Sequence, residues 1–257
     1  MISATIDAIY RYPVKGLSPE RLPMAALAVG ATLAGDRRFA IENGPSGFSA
    51  AAPAYLPKQR FLMLMKNERL ARLDTRFDDA ANRLTVREKG AEAASGRLGD
   101  AAGRASIEAF FARFCADELR GPPKILEAPG HSFSDVAKKV VSIINLASVA
   151  ALEDMIGRPV DPLRFRGNLY VRGWPEWGEL DLVGRDIAIG ATAQAKIVKR
   201  IVRCAATNVE PGAGIRDMNI PQTLMQHLGH SDCGIYAEIT AAGDAAPGDV
   251  VAPVPSG

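Results

Sequence analysis

Apolar and polar positions along the first half of the chain group into short runs of strand character, broken by proline and glycine. Ile2 to Tyr10 reads as a strand that stops at Tyr12-Pro13-Val14-Lys15-Gly16-Leu17. Arg37 to Glu42 reads as a second, followed by a turn at Asn43-Gly44-Pro45. Its two arginines alternate, so at least one faces solvent. Phe61 to Met65 is a continuous apolar run, consistent with a buried strand. Leu70 to Arg76 and Asn82 to Val86 fit a hairpin or meander around Asp78-Asp79. The period then changes. Ile107, Phe110, Phe111 and Phe114 recur at helical spacing, with Ser106 as N-cap and Gly121-Pro122-Pro123 as stop. Cys115 lies on or beside that apolar face and reads as a small core residue.

The second half repeats the theme. Lys124 to Ala128, Val140 to Ile144, Leu169 to Val171, Leu182 to Ile189, Ala195 to Arg203 and Gly234 to Thr240 read as strands. A helix carries Leu146, Val149, Leu152 and Ile156, capped by Asn145 and ended by Gly157 and Pro159. Asn219-Ile220-Pro221 opens a shorter helix that ends at Gly229. Ala-rich patches near Ala50 and Ala93 read as surface loops. The expected fold is α+β, mostly β, of barrel type. The best boundary is Gly121-Pro122-Pro123, which divides the chain into a smaller β-rich domain (1–121) and a second domain (122–257).

Composition narrows the function classes. The 257 residues are 47% hydrophobic, enough for one large core or two modest ones. Lys and Arg number 31 against 29 Asp and Glu, so no net field favours nucleic acid or an anionic membrane. Aromatic residues, at 6%, are too sparse for a base-stacking platform. No apolar run approaches the ~20 residues that span a bilayer, and no signal-peptide pattern opens the chain. Three widely spaced cysteines fit neither a disulfide framework nor a four-cysteine metal site. The expectation is a soluble cytoplasmic protein.

The strongest chemical signal is Cys204 in Val202-Arg203-Cys204-Ala205-Ala206-Thr207. A thiolate, not a thiol, binds metal or attacks, and neighbouring positive charge favours it. Arg203 is adjacent, with Arg200 and Lys199 just upstream. A structural cysteine fits the segment equally well at this point. Other candidates are weaker. His230 and Cys233 give too few ligands for a metal, and Cys233 reads as structural. His131, Ser132 and Asp135 share only the composition of a hydrolase triad, although His131 fits a loop approaching a site. Trp174 and Trp177 either line a pocket or cap a barrel end.

Several segments then fall into one ordered pattern. They are Tyr12-Pro13-Val14-Lys15-Gly16, Gly35-Asp36-Arg37-Arg38-Phe39, Arg164-Phe165-Arg166-Gly167-Asn168-Leu169, Arg203-Cys204-Ala205-Ala206-Thr207, Gly234-Ile235-Tyr236-Ala237 and Pro247-Gly248-Asp249. Together they resemble the MOSC family, the molybdenum-cofactor sulfurase C-terminal domain. The first half is similar to the β-barrel domain that often precedes it. Relatives include the mitochondrial amidoxime-reducing component and its bacterial counterparts. The resemblance implies that Cys204 gives its thiolate to a molybdenum held by pyranopterin. It implies that Lys15, Arg37, Arg166, Asn168 and Arg203 surround the pterin and its phosphate, with Gly16 contributing backbone only. General chemistry agrees: soft sulfur suits this metal, and arginine suits phosphate and planar pterin edges.

The implied activity is reduction of N-hydroxylated small molecules, with electrons from a separate donor protein. The alternative is a carrier of the cofactor or of sulfur on Cys204, without redox turnover. A cofactor-free interaction protein with the same fold is the third reading. Two departures stand out. Gly167 replaces a proline usual in relatives, and a Thr-x-Arg stretch of the N-terminal domain is not evident. The nearest basic residues to that stretch are Lys58 and Arg60.

Overall fold

A computed structural model describes residues 3–255. The first half contains β1 (Ala4–Arg11), β2 (Glu20–Leu22), β3 (Ala25–Leu27), β4 (Ala40–Asn43), β5 (Leu73–Asp78), β6 (Arg83–Glu88) and β7 (Ala91–Arg97). Helix α1 (Ala101–Phe114) and β8 (Pro123–Leu126) follow. The second half runs β9 (Val141–Asn145), α2 (Leu146–Ile156), β10 (Leu169–Arg172), β11 (Asp186–Ile189), β12 (Ala193–Val202), α3 (Ile220–Leu228), β13 (Asp232–Ala241), β14 (Gly243–Ala245) and β15 (Val250–Pro253). Among the described residues no helix is long and apolar enough to cross a membrane.

Seven strands close a barrel in the order β10-β9-β13-β12-β11-β15-β1, with β1 pairing back onto β10. Closure removes the open edges a free sheet would present. Among the barrel strands described, β9 and β10 alone pair in parallel, and α2 makes the crossover that a parallel pair needs. Ile6, Ile143, Val171, Ile187, Ile197 and Ile235 fill the interior. The first strand of the chain therefore belongs to the sheet built by the second half. A separate core under β5–β7 and α1 contains Phe39, Leu62, Phe77, Leu84, Ile107 and Phe111.

Local signals explain several elements. The Asn145 side chain accepts from the Ala147 amide at 3.1 Å to start α2, and Gly157 ends it at φ 79°. Gly229 ends α3 at φ 75° in the same way.

Other expectations are corrected. Of the Arg37–Glu42 run only residues from Ala40 onward are strand, as β4; Arg37 is in the left-handed region at φ 50°. Phe61 to Leu64 is buried and Met65 partly so, but beyond a bridge from Phe61 to Glu42 and the Leu62 amide donating to the Ile41 carbonyl at 2.8 Å the run turns rather than pairs. Tertiary burial, not a ladder, accounts for that apolar run. Helix α1 starts at Asp100, whose carboxylate accepts from the Gly103 amide at 2.7 Å, not at Ser106. It ends at Cys115, before Gly121-Pro122-Pro123. The Ala93 region is β7, not a loop. The Leu182–Ile189 strand begins only at Asp186, after a 3-10 turn. The start of the first predicted strand, at Ile2, lies outside the described residues.

The first turn of α1 also packs closely on the sheet. Strand β7 and the first helical turn touch backbone to backbone. A Cβ on Gly96 would lie 2.1 Å from the Gly103 carbonyl oxygen. Gly96→Ala is therefore expected to destabilise the protein by about 3 kcal/mol or more in a denaturant titration. A loss below about 0.5 kcal/mol would show that the backbones can part at little cost.

Candidate functional site

Barrel closure brings three distant segments together. The chain leaving β1 (Tyr12 to Gly16) lies beside the chain entering β10 (Arg164 to Asn168), and Cys204 follows β12. Asn168 seals the junction. Its carbonyl accepts from the Tyr10 amide at 2.8 Å, and its Nδ2 donates to the Tyr10 carbonyl at 3.1 Å. Its Oδ1 accepts from the Ser142 amide and hydroxyl at 3.1 and 2.8 Å. All seven residues predicted from sequence, Lys15, Gly16, Arg37, Arg166, Asn168, Arg203 and Cys204, line one cavity of about 260 Å³.

Cys204 is half-buried and opens a 3-10 turn whose Thr207 amide and hydroxyl donate to the Cys204 carbonyl. Its Sγ accepts from Lys58 Nζ at 3.2 Å. Arg203 turns away from the sulfur. Its Nε donates to the Cys233 carbonyl at 2.7 Å and its Nη1 to the Phe165 carbonyl at 2.9 Å. Arg203 thus fixes the end of β12 and adds positive charge. Asn168 is likewise committed to the protein itself.

Arg37 and Arg166 are both held in the left-handed region, at φ 50° and 51°, a conformation that costs a non-glycine residue on the order of 1–3 kcal/mol. Their guanidinium carbons lie 4.8 and 4.2 Å from the centre of the Tyr12 ring. Arg37 pairs with Asp36 and donates Nη2 to the Arg166 carbonyl at 2.9 Å. Arg166 Nη1 donates to the Leu17 carbonyl at 2.8 Å. Its Nη2 is buried and has no hydrogen-bond partner among the described residues. A buried donor without a partner is uncommon in a folded protein, and here it belongs to a residue that lines the cavity.

Gly16 stands at φ 83°, where a Cβ would also meet the Leu62 carbonyl oxygen at 3.0 Å. A Cβ on Gly167 would meet Ile144 Cγ1 at 2.3 Å, and the Gly167 amide donates to Tyr170 Oη at 3.0 Å, so a proline here would require Ile144 to shift and would lose that bond. Arg164, two residues before Arg166, is turned to a different partner. It lies in the 3-10 turn Pro162–Phe165 and pairs with Asp217 at 2.8 and 2.9 Å.

Lys58 and Asp135 also line the cavity, although neither is among the site residues predicted from sequence. Lys15 Nζ donates to the Phe133 carbonyl at 2.8 Å and pairs with Asp135. Asp135 Oδ2 also lies 3.6 Å from Lys58 Nζ. No sequence spacing links positions 15, 58, 135 and 204. The only available hints were the basic stretch at Lys58 and the polar run after His131. Burial pushes the Lys15 ammonium down, against the pull of Asp135. Desolvation would raise Asp135, but Lys15 and Lys58 outweigh it and hold the carboxyl below its ordinary range. Burial works against the charged form of Lys58 too, yet Asp135 and Cys204 together raise it. Burial lowers Arg166.

The remaining candidates lie elsewhere. His131 is outside the cavity, its ring 5.3 Å from Phe48 and 4.8 Å from Phe133. Cys233 and Cys115 are fully buried, and burial pushes each thiol up to about 12. Among the described residues no group of three or more His, Cys, Asp or Glu could hold a metal. Trp174 is buried in the barrel core, and Trp177 packs against that core and the α2 cluster.

One thiol of three is accessible, and an ammonium donates to it. Iodoacetamide is therefore expected to modify Cys204 selectively in the native protein. Lys58→Met should slow that reaction several-fold at neutral pH, read by peptide mass spectrometry. An unchanged rate would mean that Lys58 does not influence the sulfur.

No curated protein matches the chain. Among solved structures, the YuaD protein from Bacillus subtilis aligns over 98% of this chain and 97% of its own, at 12% identity and a TM-score of 0.45. YiiM from Geobacillus stearothermophilus aligns over 45% of this chain and 54% of its own, at 21% identity and a TM-score of 0.35. The family model for the MOSC N-terminal beta barrel domain matches residues 3–119, and that for the MOSC domain matches residues 128–252. With both matches spanning most of its length, the chain belongs to the MOSC-domain family.

Proposed function

We propose that this protein is an oxidoreductase that binds the molybdenum cofactor and reduces N-hydroxylated small molecules with electrons from a separate donor protein. MOSC domains are associated with molybdenum-cofactor sulfurase- and reductase-type proteins. The observation that carries the reading is one accessible sulfur, Cys204 Sγ, sharing a cavity with the unpartnered Arg166 Nη2. Soft sulfur suits the metal, and a buried guanidinium donor suits a phosphate or a pterin edge.

The donor set fits that cofactor. Cys204 supplies the protein ligand to the metal. Lys15, Lys58, Arg37 and Arg166 supply the cations for a phosphate, and Gly16 lets the main chain approach closely. Asn168 and Arg203 hold the walls, because their polar atoms are committed to carbonyls and to Ser142. When bound, the cofactor supplies the two-electron chemistry of N–O cleavage. Reducing a hydroxylamine-type group to the amine consumes two electrons and two protons and releases water. Lys58 Nζ holds a proton 3.2 Å from the sulfur and could supply one of the two that the reduction consumes.

The test is molybdenum and pterin content per chain, after production in a host that makes the cofactor. About one of each is expected in the native protein, with the metal falling toward background in Cys204→Ala. The loaded protein should then reduce an amidoxime with an artificial electron donor. No metal in either protein would overturn the reading. Metal that is loaded but handed to an acceptor, without reduction, would favour the carrier.

A further inference from the structure

We propose that Asp135 is a displaceable internal counter-ion, whose carboxylate holds Lys15 and Lys58 in the cofactor-free chain and yields both to an oxyanion-bearing ligand that enters the cavity. The inference deepens the proposed function. It rests on that reading only in requiring that the incoming ligand be anionic.

The geometry sets the roles. Lys15 is 5% exposed, so its ammonium requires an anion nearby. Asp135 provides that anion and reaches Lys58 as well. The other carboxylate of the cavity, Asp36, is already taken: it accepts from the Tyr12 amide at 2.8 Å and pairs with Arg37. Lys15 and Lys58 therefore have one carboxylate between them. Two ammonium groups around one carboxylate form a ready oxyanion subsite, and phosphate offers more acceptor oxygens than the carboxylate it would replace.

The segment that carries Asp135 is built to move. It connects β8 to β9. Its first part is anchored: the Phe133 amide donates to the Arg37 carbonyl at 2.8 Å, and Ser132 Oγ to the Asp36 carbonyl at 3.0 Å. Phe133 is buried against Phe48 and Phe61. Beyond Phe133 the anchoring stops. Among the described residues, 134–139 make no main-chain hydrogen bond to another main-chain group. The tip is held by the two lysines, by Tyr55 Oη donating to the Asp135 carbonyl at 3.2 Å, and by an exposed Lys138–Glu238 pair at 2.6 Å. Swinging the tip outward breaks no ladder and widens a cavity that, at about 260 Å³, is small for a ligand site. The cost is a buried ammonium left without its anion, so the exchange proceeds when another anion takes its place.

The experiment uses full-length protein from a host unable to make the cofactor. Inorganic phosphate and a simple phosphate monoester are titrated calorimetrically at constant low ionic strength. Asp135→Asn is expected to bind both about tenfold more tightly than the native protein, and the gain should vanish in Asp135→Asn combined with Lys15→Met. Equal or weaker binding by Asp135→Asn would overturn the proposal, as would a gain that survives loss of Lys15. A gain for inorganic phosphate alone supports the counter-ion and limits the subsite to free phosphate. The native protein gives a second readout that no variant can spoil. Saturating phosphate should speed tryptic cleavage after Lys138 and Lys139, and an unchanged rate contradicts release of the tip. Phosphate binding is read without molybdenum. A positive result here with no metal in the loaded protein would overturn the cofactor assignment and leave the counter-ion standing.

Discussion

Asn168 fastens three strands at the point where the barrel closes. Its main chain and amide nitrogen hold Tyr10 at the end of β1, and its amide oxygen holds Ser142 in β9. Everything at the site depends on that junction. With β1 paired to β10, the turn after β1 delivers Lys15 and Gly16 to one wall, and the turn before β10 delivers Arg166 to the next. Cys204 arrives at the end of β12, two strands round the barrel from β9. A break at the junction would scatter residues that are more than a hundred positions apart in sequence.

The site concentrates charge that folding alone would avoid. Lys15, Arg37, Lys58, Arg166 and Arg203 meet in one cavity, against Asp36 and Asp135. Burying cations is expensive unless each finds acceptors. Main-chain carbonyls answer most of the need: Phe133 for Lys15, Arg166 for Arg37, Leu17 for Arg166, and Phe165 with Cys233 for Arg203. Two of the arginines also sit in strained backbone. Strain and excess positive charge in the same place fit a cavity organised around an anion.

What could be read from the sequence follows from how local each signal is. Helix α2 was legible because Asn145, an apolar face and Gly157 are all local cues. Cys204 stands out through its basic neighbours, but the other site residues were legible only through the ordered resemblance, which carries three-dimensional information that spacing lacks. Strand β7 was missed because Ala91–Arg97 has little β propensity, and pairing with β6 overrides that. Ser106 precedes the visible apolar period and so reads as a cap, but the first turn of α1, capped by Asp100, packs on β7 and carries no apolar period of its own. Lys58 and Asp135 reach the cavity from irregular segments that carry no period. Their partners, Cys204 and Lys15, lie 146 and 120 positions away.

The central claim is that Cys204 binds the metal of a cofactor seated in this cavity. Anomalous scattering at the molybdenum edge, from crystals of protein made in a cofactor-competent host, tests it most directly. The account predicts one strong peak within bonding distance of Cys204 Sγ, with the phosphate of the cofactor among Lys15, Lys58 and Arg166. A metal peak remote from Cys204, with the sulfur left free, would contradict it.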